Sequence, residues 1–239
     1  MSDEANQNLP EATPRGSFPR RAWAALRGAL GNKWGLFAVV AVVSLVVDQV
    51  TKIWARASLP VYPANCSITE LQPRDCQGVP VAFLDSFWHW RLSMNPGSAF
   101  GMFSSQGGAR VFLSIVGILA VIGMLWMLRK SRPDQKVLHW ALALVAGGAV
   151  GNLIDRMYFG VVTDFILWHL GDFKGHAASG LGRWEHEWPV FNVADIVLVV
   201  GVGLMFIDIQ KEGKRDKANK QARLAKAKQQ GLVKDLTQE

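Results

Sequence analysis

Three aspartates that lie in or beside apolar segments are the candidate catalytic residues of this sequence. Asp155 lies at the end of "GGAVGNLIDR", Asp164 in the middle of "GVVTDFILW", and Asp195 at the start of the apolar run "FNVADIVLVV". An acid at the centre of a membrane helix costs about 2.5–3.5 kcal/mol, so its presence indicates a function. Two carboxylates that share a poorly solvated site and one proton can activate water, as aspartic peptidases do. Intramembrane acids are equally typical of proton-coupled transporters, so both classes of function stay open.

Other catalytic groups have less support from the sequence. The five histidines show no HExxH spacing and no other metal signature, so neither a metal site nor a cofactor is predicted. A dyad of Ser98 and Lys52 has no spacing rule behind it. The stretch "RWEHEW" (183–188) is interpreted as an outward loop whose aromatic residues anchor it at the membrane interface.

The positions of the aspartates depend on four apolar segments that are long enough to cross a bilayer. These segments are Trp34 to Trp54, Val111 to Leu128, Val137 to Ile154 and Pro189 to Ile207. The β-branched run around Asp164 predicts a short extended segment that dips back toward the membrane surface. The sequence therefore predicts a mainly α integral membrane protein with four transmembrane helices.

Lysine and arginine in the flanking segments predict the orientation, because positive residues are retained on the cytoplasmic side. They are frequent before the first span, between the second and third spans, and after the fourth, but sparse in the long connections 58–109 and 155–188. Both termini are therefore predicted to be cytoplasmic, and the three aspartates to lie near the outer membrane boundary. This topology and attraction to anionic lipid explain the net charge of +7, so no nucleic-acid partner is predicted.

The same patterns divide the chain into three regions. Residues 1–33 form a polar cytoplasmic tail that is predicted to be largely disordered, with an interfacial helix in "RAWAALRGAL". Residues 34–209 form the four-helix transmembrane domain. Residues 210–239 form a basic cytoplasmic tail.

Polar and small residues inside the spans suggest how the helices meet. Asp48 and Lys52 are four positions apart and share one face of the first span. They form either an ion pair that neutralises itself or a support for a functional site, and both interpretations stay open. Gly147, Gly148 and Gly151 allow another helix to approach the third span closely.

The two cysteines, Cys66 and Cys76, both lie in the first outward connection. An oxidising compartment permits a disulfide between them, which would stabilise the chain by roughly 2–3 kcal/mol on the chain-entropy model. A structural bridge is favoured over two free thiols.

Five sequence blocks occur in an order that resembles the prokaryotic lipoprotein signal peptidase family. The blocks are "DQVTK" (48–52), "NPGSAFG" (95–101), "GGAVGNLIDR" (147–156), "GVVTDFI" (160–166) and "FNVADI" (191–196), and the resemblance covers about Gly35 to Ile209. It implies an aspartic endopeptidase of the bacterial inner membrane. Such an enzyme removes signal peptides from diacylglyceryl-modified prolipoproteins by cutting before the lipidated cysteine. The resemblance also implies an active site at the outer leaflet boundary, a small outward β-structure and no cofactor. The chain is predicted to act as a monomer in contact with membrane lipids.

The resemblance assigns roles to individual residues of this chain. The two catalytic acids of the family match Asp164 and Asp195. Asp155 beside Arg156 is interpreted as an orienting residue or helix-end ion pair rather than a dyad member. The supporting or substrate-binding positions of the family match Asp48, Lys52, Asn95, Gly97, Ala99, Asn152, Arg156 and Asn192.

This chain departs from the family pattern at three places. Thr163 stands where valine is common, directly before the proposed catalytic Asp164. An outward insertion carries the two cysteines, and the stretch "GDFKGHAASGLGRWEHEW" lengthens the path from Asp164 to Asp195. Because these loops lie on the predicted substrate side, they could alter a lid or entry gate.

Overall fold

The computed structural model of this chain describes residues 28, 31–63, 77–84, 87–97, 106–176 and 181–229. The predicted disordered tail and its interfacial helix lie almost wholly outside these ranges. Cys66, Cys76 and Ala99 also lie outside the described residues, so the disulfide stays a prediction.

Four helices form the body of the molecule, and each is long and apolar enough to cross a membrane. They are α1 (Lys33–Ser58), α2 (Gln106–Lys130), α3 (Lys136–Tyr158) and α4 (Val193–Gln229). α3 is the most buried of them and packs against the other three. The outer faces of α1, α2 and α4 expose apolar side chains, which suits contact with lipid. The four predicted spans are confirmed.

The fourth helix is much longer than the predicted span that ends near Ile207. It continues without a break through the basic segment to Gln229. Lysine, alanine, glutamine and arginine dominate this segment, and all four are good helix formers. Hydropathy locates where a span leaves the membrane, but it does not locate where the helix ends.

Two antiparallel sheets lie beside one end of the helix bundle. The small sheet pairs β1 (Val61–Tyr62) with β2 (Gln77–Gly78). The larger sheet has the order β3-β4-β5-β6, with β3 at Val81–Leu84, β4 at Trp88–Asn95, β5 at Val162–His176 and β6 at Leu181–Glu187. The extended segment predicted around Asp164 is therefore present, and it is longer than expected.

The interpretation of "RWEHEW" as a loop is wrong, because most of it belongs to strand β6, whereas its place at the membrane interface stays a prediction. Trp184 stacks on His169 with ring centroids 3.9 Å apart, and His169 Nε2 lies 2.7 Å from His89 Nδ1. Glu187 accepts two hydrogen bonds from Arg91 of β4, at 3.0 and 3.1 Å. These contacts with β4 and β5 are non-local, so the local sequence pattern could not predict the strand.

The glycines of α3 let the neighbouring helices approach it closely, as predicted. A Cβ atom on Gly147 would lie 2.7 Å from the Ala41 carbonyl oxygen of α1. A Cβ atom on Gly148 would lie 2.6 Å from the Ala194 carbonyl oxygen, in the first turn of α4. α3 therefore holds α1 on one side and the beginning of α4 on another.

We expect Gly148→Ala to destabilise the folded protein by about 1–3 kcal/mol, the usual cost of overpacking. The added methyl group meets backbone rather than a flexible side chain, so helix α4 must shift. Thermal unfolding in detergent measures this effect. Gly203→Ala in α4 is the matched control, since a Cβ atom at that position would have no neighbouring atom within 4 Å. Equal melting temperatures for the two variants would contradict the prediction.

Candidate active site

Asp164 is a buried carboxyl group on strand β5, only 2% exposed. Its Oδ2 accepts a hydrogen bond from Asn95 Nδ2 at 3.0 Å, and its Oδ1 accepts one from Asn192 Nδ2 at 2.7 Å. Burial and the nearby charge of Asp195 raise the pKa of Asp164 to about 7, although the two amide donors oppose this shift. Asp164 can therefore hold a proton near neutral pH.

Asp195 lies in the first turn of α4, where a helix favours negative charge. Asp195 N donates to Asn192 Oδ1 at 3.0 Å, and Asn192 N donates to Asp195 Oδ2 at 3.1 Å. This reciprocal arrangement is a capping box that starts the helix. The other oxygen, Oδ1, accepts a hydrogen bond from Asn152 Nδ2 at 3.1 Å. The helix cap and Asn152 thus fix the position of the Asp195 carboxyl group.

Phe191 connects these two elements by backbone hydrogen bonds. Its carbonyl oxygen accepts from Phe165 N at 3.0 Å and from Ile166 N at 2.8 Å, and its own N–H donates to the Ile166 carbonyl at 3.0 Å. The start of α4 is therefore fastened to β5 immediately after Asp164. The lengthened hairpin between the two aspartates does not separate them, because Phe191 pairs with β5 beside Asp164.

Two asparagine amides link the two carboxyl groups. Asn192 Nδ2 bonds Asp164 and also donates to Asn152 Oδ1 at 3.1 Å, while Asn152 Nδ2 bonds Asp195. Asn152 Oδ1 also accepts a hydrogen bond from Lys52 Nζ at 2.8 Å. The amide orientations are thus fixed by a buried lysine behind them.

A fully buried ion cluster lies behind the amides. Lys52 Nζ is 2.9 Å from Asp48 Oδ2 and 3.5 Å from Asp155 Oδ2, and all three side chains are inaccessible to solvent. Asp48 Oδ1 accepts a hydrogen bond from Ala194 N, at 2.9 Å, in the first turn of α4. The Asp48–Lys52 pair is therefore an ion pair, and it also contacts the residue next to Asp195. Its support of a functional site stays a prediction.

Asp155, near the end of α3, contacts the backbone of strand β5. Its Oδ2 accepts a hydrogen bond from Thr163 N at 2.8 Å, and its ion-pair partners in the described part of the chain are Lys52 and Arg56. Arg156 instead donates to the Asn152 carbonyl oxygen at 3.4 Å and lies within electrostatic reach of both Asp164 and Asp195. Asp155 thus forms its ion pairs with Lys52 and Arg56, whereas Arg156 was the predicted partner.

Asn95 is oriented by a turn at the end of β4. Gly97 N donates to Asn95 Oδ1 at 2.9 Å, which leaves the Nδ2 group of Asn95 directed at Asp164. Gly97 has φ +91°, a conformation that favours glycine, and a Cβ atom there would lie 2.5 Å from Leu113 Cδ1. Gly97 therefore supports Asn95 through backbone conformation.

Arg56 is the residue of this site that the sequence interpretation missed. Arg56 Nη1 donates to Thr163 Oγ1 at 2.7 Å and lies 3.6 Å from Asp155 Oδ1. A signal was present in the sequence, because Arg56 follows Asp48 and Lys52 at the same four-residue spacing on one helix face.

The arrangement suits activation of water by two unlike carboxyl groups. One is buried and able to keep a proton, while the other is held at a helix N-terminus by the two hydrogen bonds that it exchanges with Asn192. Among the described residues, no group of three or more His, Cys, Asp or Glu side chains is placed to hold a metal ion.

Comparisons with known proteins identify a family to which this chain is similar. A family model described as Signal peptidase (SPase) II matches residues 40–211, a range that contains every site residue described above. A lipoprotein signal peptidase of Xanthomonas oryzae pv. oryzae (strain PXO99A) is 36% identical over 182 residues, which cover 74% of this chain and 87% of that protein. A lipoprotein signal peptidase of Xylella fastidiosa (strain 9a5c) is 33% identical over 175 residues, covering 71% of this chain and 87% of that protein.

A solved structure described as a bacterial membrane enzyme, determined by the in meso method, is also similar. It superposes with a TM-score of 0.53 at 26% identity, covering 76% of this chain and 91% of that chain. The similarity extends over nearly the whole of the solved chain.

Proposed function

Because this chain belongs to the signal peptidase II family of aspartic peptidases, we propose that it removes signal peptides from bacterial prolipoproteins by cutting before a diacylglyceryl-modified cysteine. The observation that carries the proposal is the linkage of Asp164 and Asp195 through one pair of asparagine amides. A substrate anchored by its own helix and lipid presents the scissile bond at the membrane boundary. Both carboxyl groups come from one chain, so a monomer suffices for the chemistry.

We further propose that the protein lies in the inner membrane with both termini in the cytoplasm. The distribution of lysine and arginine supports this orientation. Asp164 follows the end of α3, and Asp195 begins α4, so both lie at the end of the bundle that carries the larger sheet. In the proposed orientation, that end faces the periplasm, where prolipoproteins carry their lipid.

In the proposed mechanism, Asp195 acts as the general base and Asp164 as the general acid. The Asp195 carboxylate takes a proton from water as the water oxygen attacks the scissile carbonyl carbon, and protonated Asp164 polarises the carbonyl oxygen. The tetrahedral species then collapses, and a proton passes to the leaving amine of the lipidated cysteine. The signal peptide leaves with a new carboxyl group. Arg156 lies close enough to both acids to stabilise negative charge during the reaction.

The cleavage rate is expected to fall as pH rises through about 7. Burial and the nearby Asp195 raise the pKa of Asp164 to about this value. Asp164 must hold its proton to polarise the carbonyl, and this proton is present below that pKa and lost above it. The measurement is kcat/KM against pH in one detergent, with the folded fraction monitored at each pH. A rate that stays constant well above pH 7 in fully folded protein would contradict the assignment of Asp164 as the acid.

Cleavage of a lipidated prolipoprotein by the purified protein tests the proposed function. The expected result is cleavage of the diacylglyceryl-modified substrate and none of the same peptide without lipid. In parallel, proton flux into liposomes tests the alternative, a small proton-coupled transporter or noncatalytic subunit. A folded protein that never cuts the lipidated substrate would overturn the proposal, and measurable flux would then favour the transporter.

A further inference from the structure

Arg56, near the outer end of α1, contacts the residue directly before the proposed acid Asp164. We propose that Arg56 is a positioning residue for the peptidase reaction, which holds Asp164 in place through Thr163 and Asp155. This inference rests on the proposed function and extends it to a residue outside the five sequence blocks. Arg56 and Thr163 have complementary hydrogen-bonding groups, and Thr163 is one of the positions at which this chain departs from the family pattern.

Arg56 is held at three points. Its Nη1 donates to Thr163 Oγ1 at 2.7 Å and lies 3.6 Å from Asp155 Oδ1, and its guanidinium lies over the Phe159 ring at 4.3 Å. Its side chain is 13% exposed. A guanidinium with this set of contacts is confined to one position, so it can fix the position of its partners.

Thr163 is fully buried and is held by both of its hydrogen-bonding groups. Its backbone N–H donates to Asp155 Oδ2 at 2.8 Å, and its hydroxyl accepts from Arg56. The residue that precedes Asp164 is therefore fixed at the backbone and at the side chain. A displacement of Thr163 moves the adjacent Asp164 carboxyl group relative to Asn95 and Asn192.

Arg56 also completes the charge balance behind the site. Asp155 Oδ1 is buried and has no hydrogen bond, and within the described ranges the cation that pairs with this oxygen is Arg56. Lys52 lies between Asp48 and Asp155 and also donates to Asn152, which bonds Asp195. Without Arg56, Lys52 is the cation left beside Asp155 within the described ranges, and a shift of Lys52 toward Asp155 would lengthen its hydrogen bond to Asn152. Arg56 is thus connected to Asp164 through Thr163, and to Asp195 through Asp155, Lys52 and Asn152.

The test is the cleavage kinetics of Arg56→Met, Arg56→Lys, Thr163→Val and the double variant Arg56→Met/Thr163→Val. Arg56→Met is expected to lower kcat about 10–100-fold, the cost of a misplaced reacting group, with KM changed less than about two-fold. Arg56→Lys is expected to recover part of the lost kcat, because it restores the positive charge beside Asp155. Since Arg56 acts partly through Thr163, its loss should cost less in the Thr163→Val background than in the wild type.

Arg91→Met is the matched control. Arg91 is a similarly buried arginine of the sheet, and its described ion pair is with Glu187 of β6 rather than with Asp155, Asp164 or Asp195. It should lower the melting temperature while kcat stays within about two-fold of the wild-type value. If Arg56→Met behaves like this control, with a lower melting temperature and unchanged kcat, the inference is overturned.

Two further results keep the test decisive. If Arg56→Met does not fold, Thr163→Val decides, since valine has nearly the same shape as threonine. A several-fold loss of kcat in Thr163→Val supports the inference, and an unchanged kcat overturns it. If the folded wild-type protein does not cleave the lipidated substrate, the proposed function itself is wrong. This outcome differs from a failure of the inference about Arg56, in which the wild-type protein is active.

Discussion

Asp164→Asn and Asp195→Asn are each expected to reduce the rate of prolipoprotein cleavage by about 10²–10⁴-fold, the usual contribution of a positioned acid or base. Asparagine at position 195 cannot take a proton from water, and asparagine at position 164 cannot transfer a proton to the carbonyl oxygen. The measurement is single-turnover cleavage of a lipidated substrate in detergent. The losses should not be additive in the double variant, because the two residues act as one unit.

Both variants are expected to remain folded. Asparagine at position 195 keeps an oxygen acceptor for the helix cap formed with Asn192, although its amide group then faces the amide donor of Asn152. Asparagine at position 164 keeps the shape of the protonated acid. Its amide group, however, faces the amide donor of Asn95 or Asn192, and this unpaired donor lowers stability by about 1–3 kcal/mol. Asp172→Asn, at an exposed position on the same strand as Asp164, is the matched control and should cleave at the wild-type rate.

Asp155→Asn tests whether the catalytic residues are assigned correctly, independently of whether the protein is a peptidase. Asp155 contacts Thr163, Lys52 and Arg56, so its loss is expected to lower stability more than the rate of the chemical step. A folded Asp155→Asn variant without activity, beside an active Asp164→Asn variant, would move the dyad and leave the enzyme class intact.

The helices, and the place of Asp195 at the start of the fourth helix, could be predicted from the sequence because their signals are local. An apolar run long enough for the bilayer predicts a span, and this was enough to place all four helices. The three-residue spacing of Asn192 and Asp195 lies within one turn, so their pairing at a helix start is also a local property. The family blocks added the assignment of Asp164 and Asp195, which spacing alone left open between a peptidase and a transporter.

The contacts that the sequence did not predict are non-local. Strand β6 depends on pairing with β5 and on the stacking of Trp184 against His169, and no pattern within "RWEHEW" encodes either contact. The partners of Asp155 come from α1 and β5, whereas its sequence neighbour Arg156 was the expected partner. Side chains brought together by separate elements are visible only once the packing is known.

Lys52→Met is expected to destabilise the protein by about 3–5 kcal/mol, the cost of leaving a buried charge without its partner. Lys52 is the cation between Asp48 and Asp155, and all three side chains are fully buried. Methionine fills a similar volume, so the loss measures charge compensation rather than a cavity. Denaturant or thermal unfolding in detergent gives the change in stability. Lys130→Met, at an exposed end of α2, is the matched control and should change stability by less than about 0.5 kcal/mol.

A double variant shows whether charge is the cause of this destabilisation. Lys52→Met/Asp48→Asn removes the cation together with one of its two acids, leaving Arg56 to balance Asp155. It should therefore be more stable than Lys52→Met alone, although it loses part of the charge-assisted hydrogen bond from Ala194 N to Asp48. If the double variant is instead less stable than Lys52→Met by the full cost of Asp48→Asn, the two residues are energetically independent. In that case the ion cluster would support the active site only through packing. The charge of Lys52 would then play no part in the connection from Lys52 through Asn152 to Asp195.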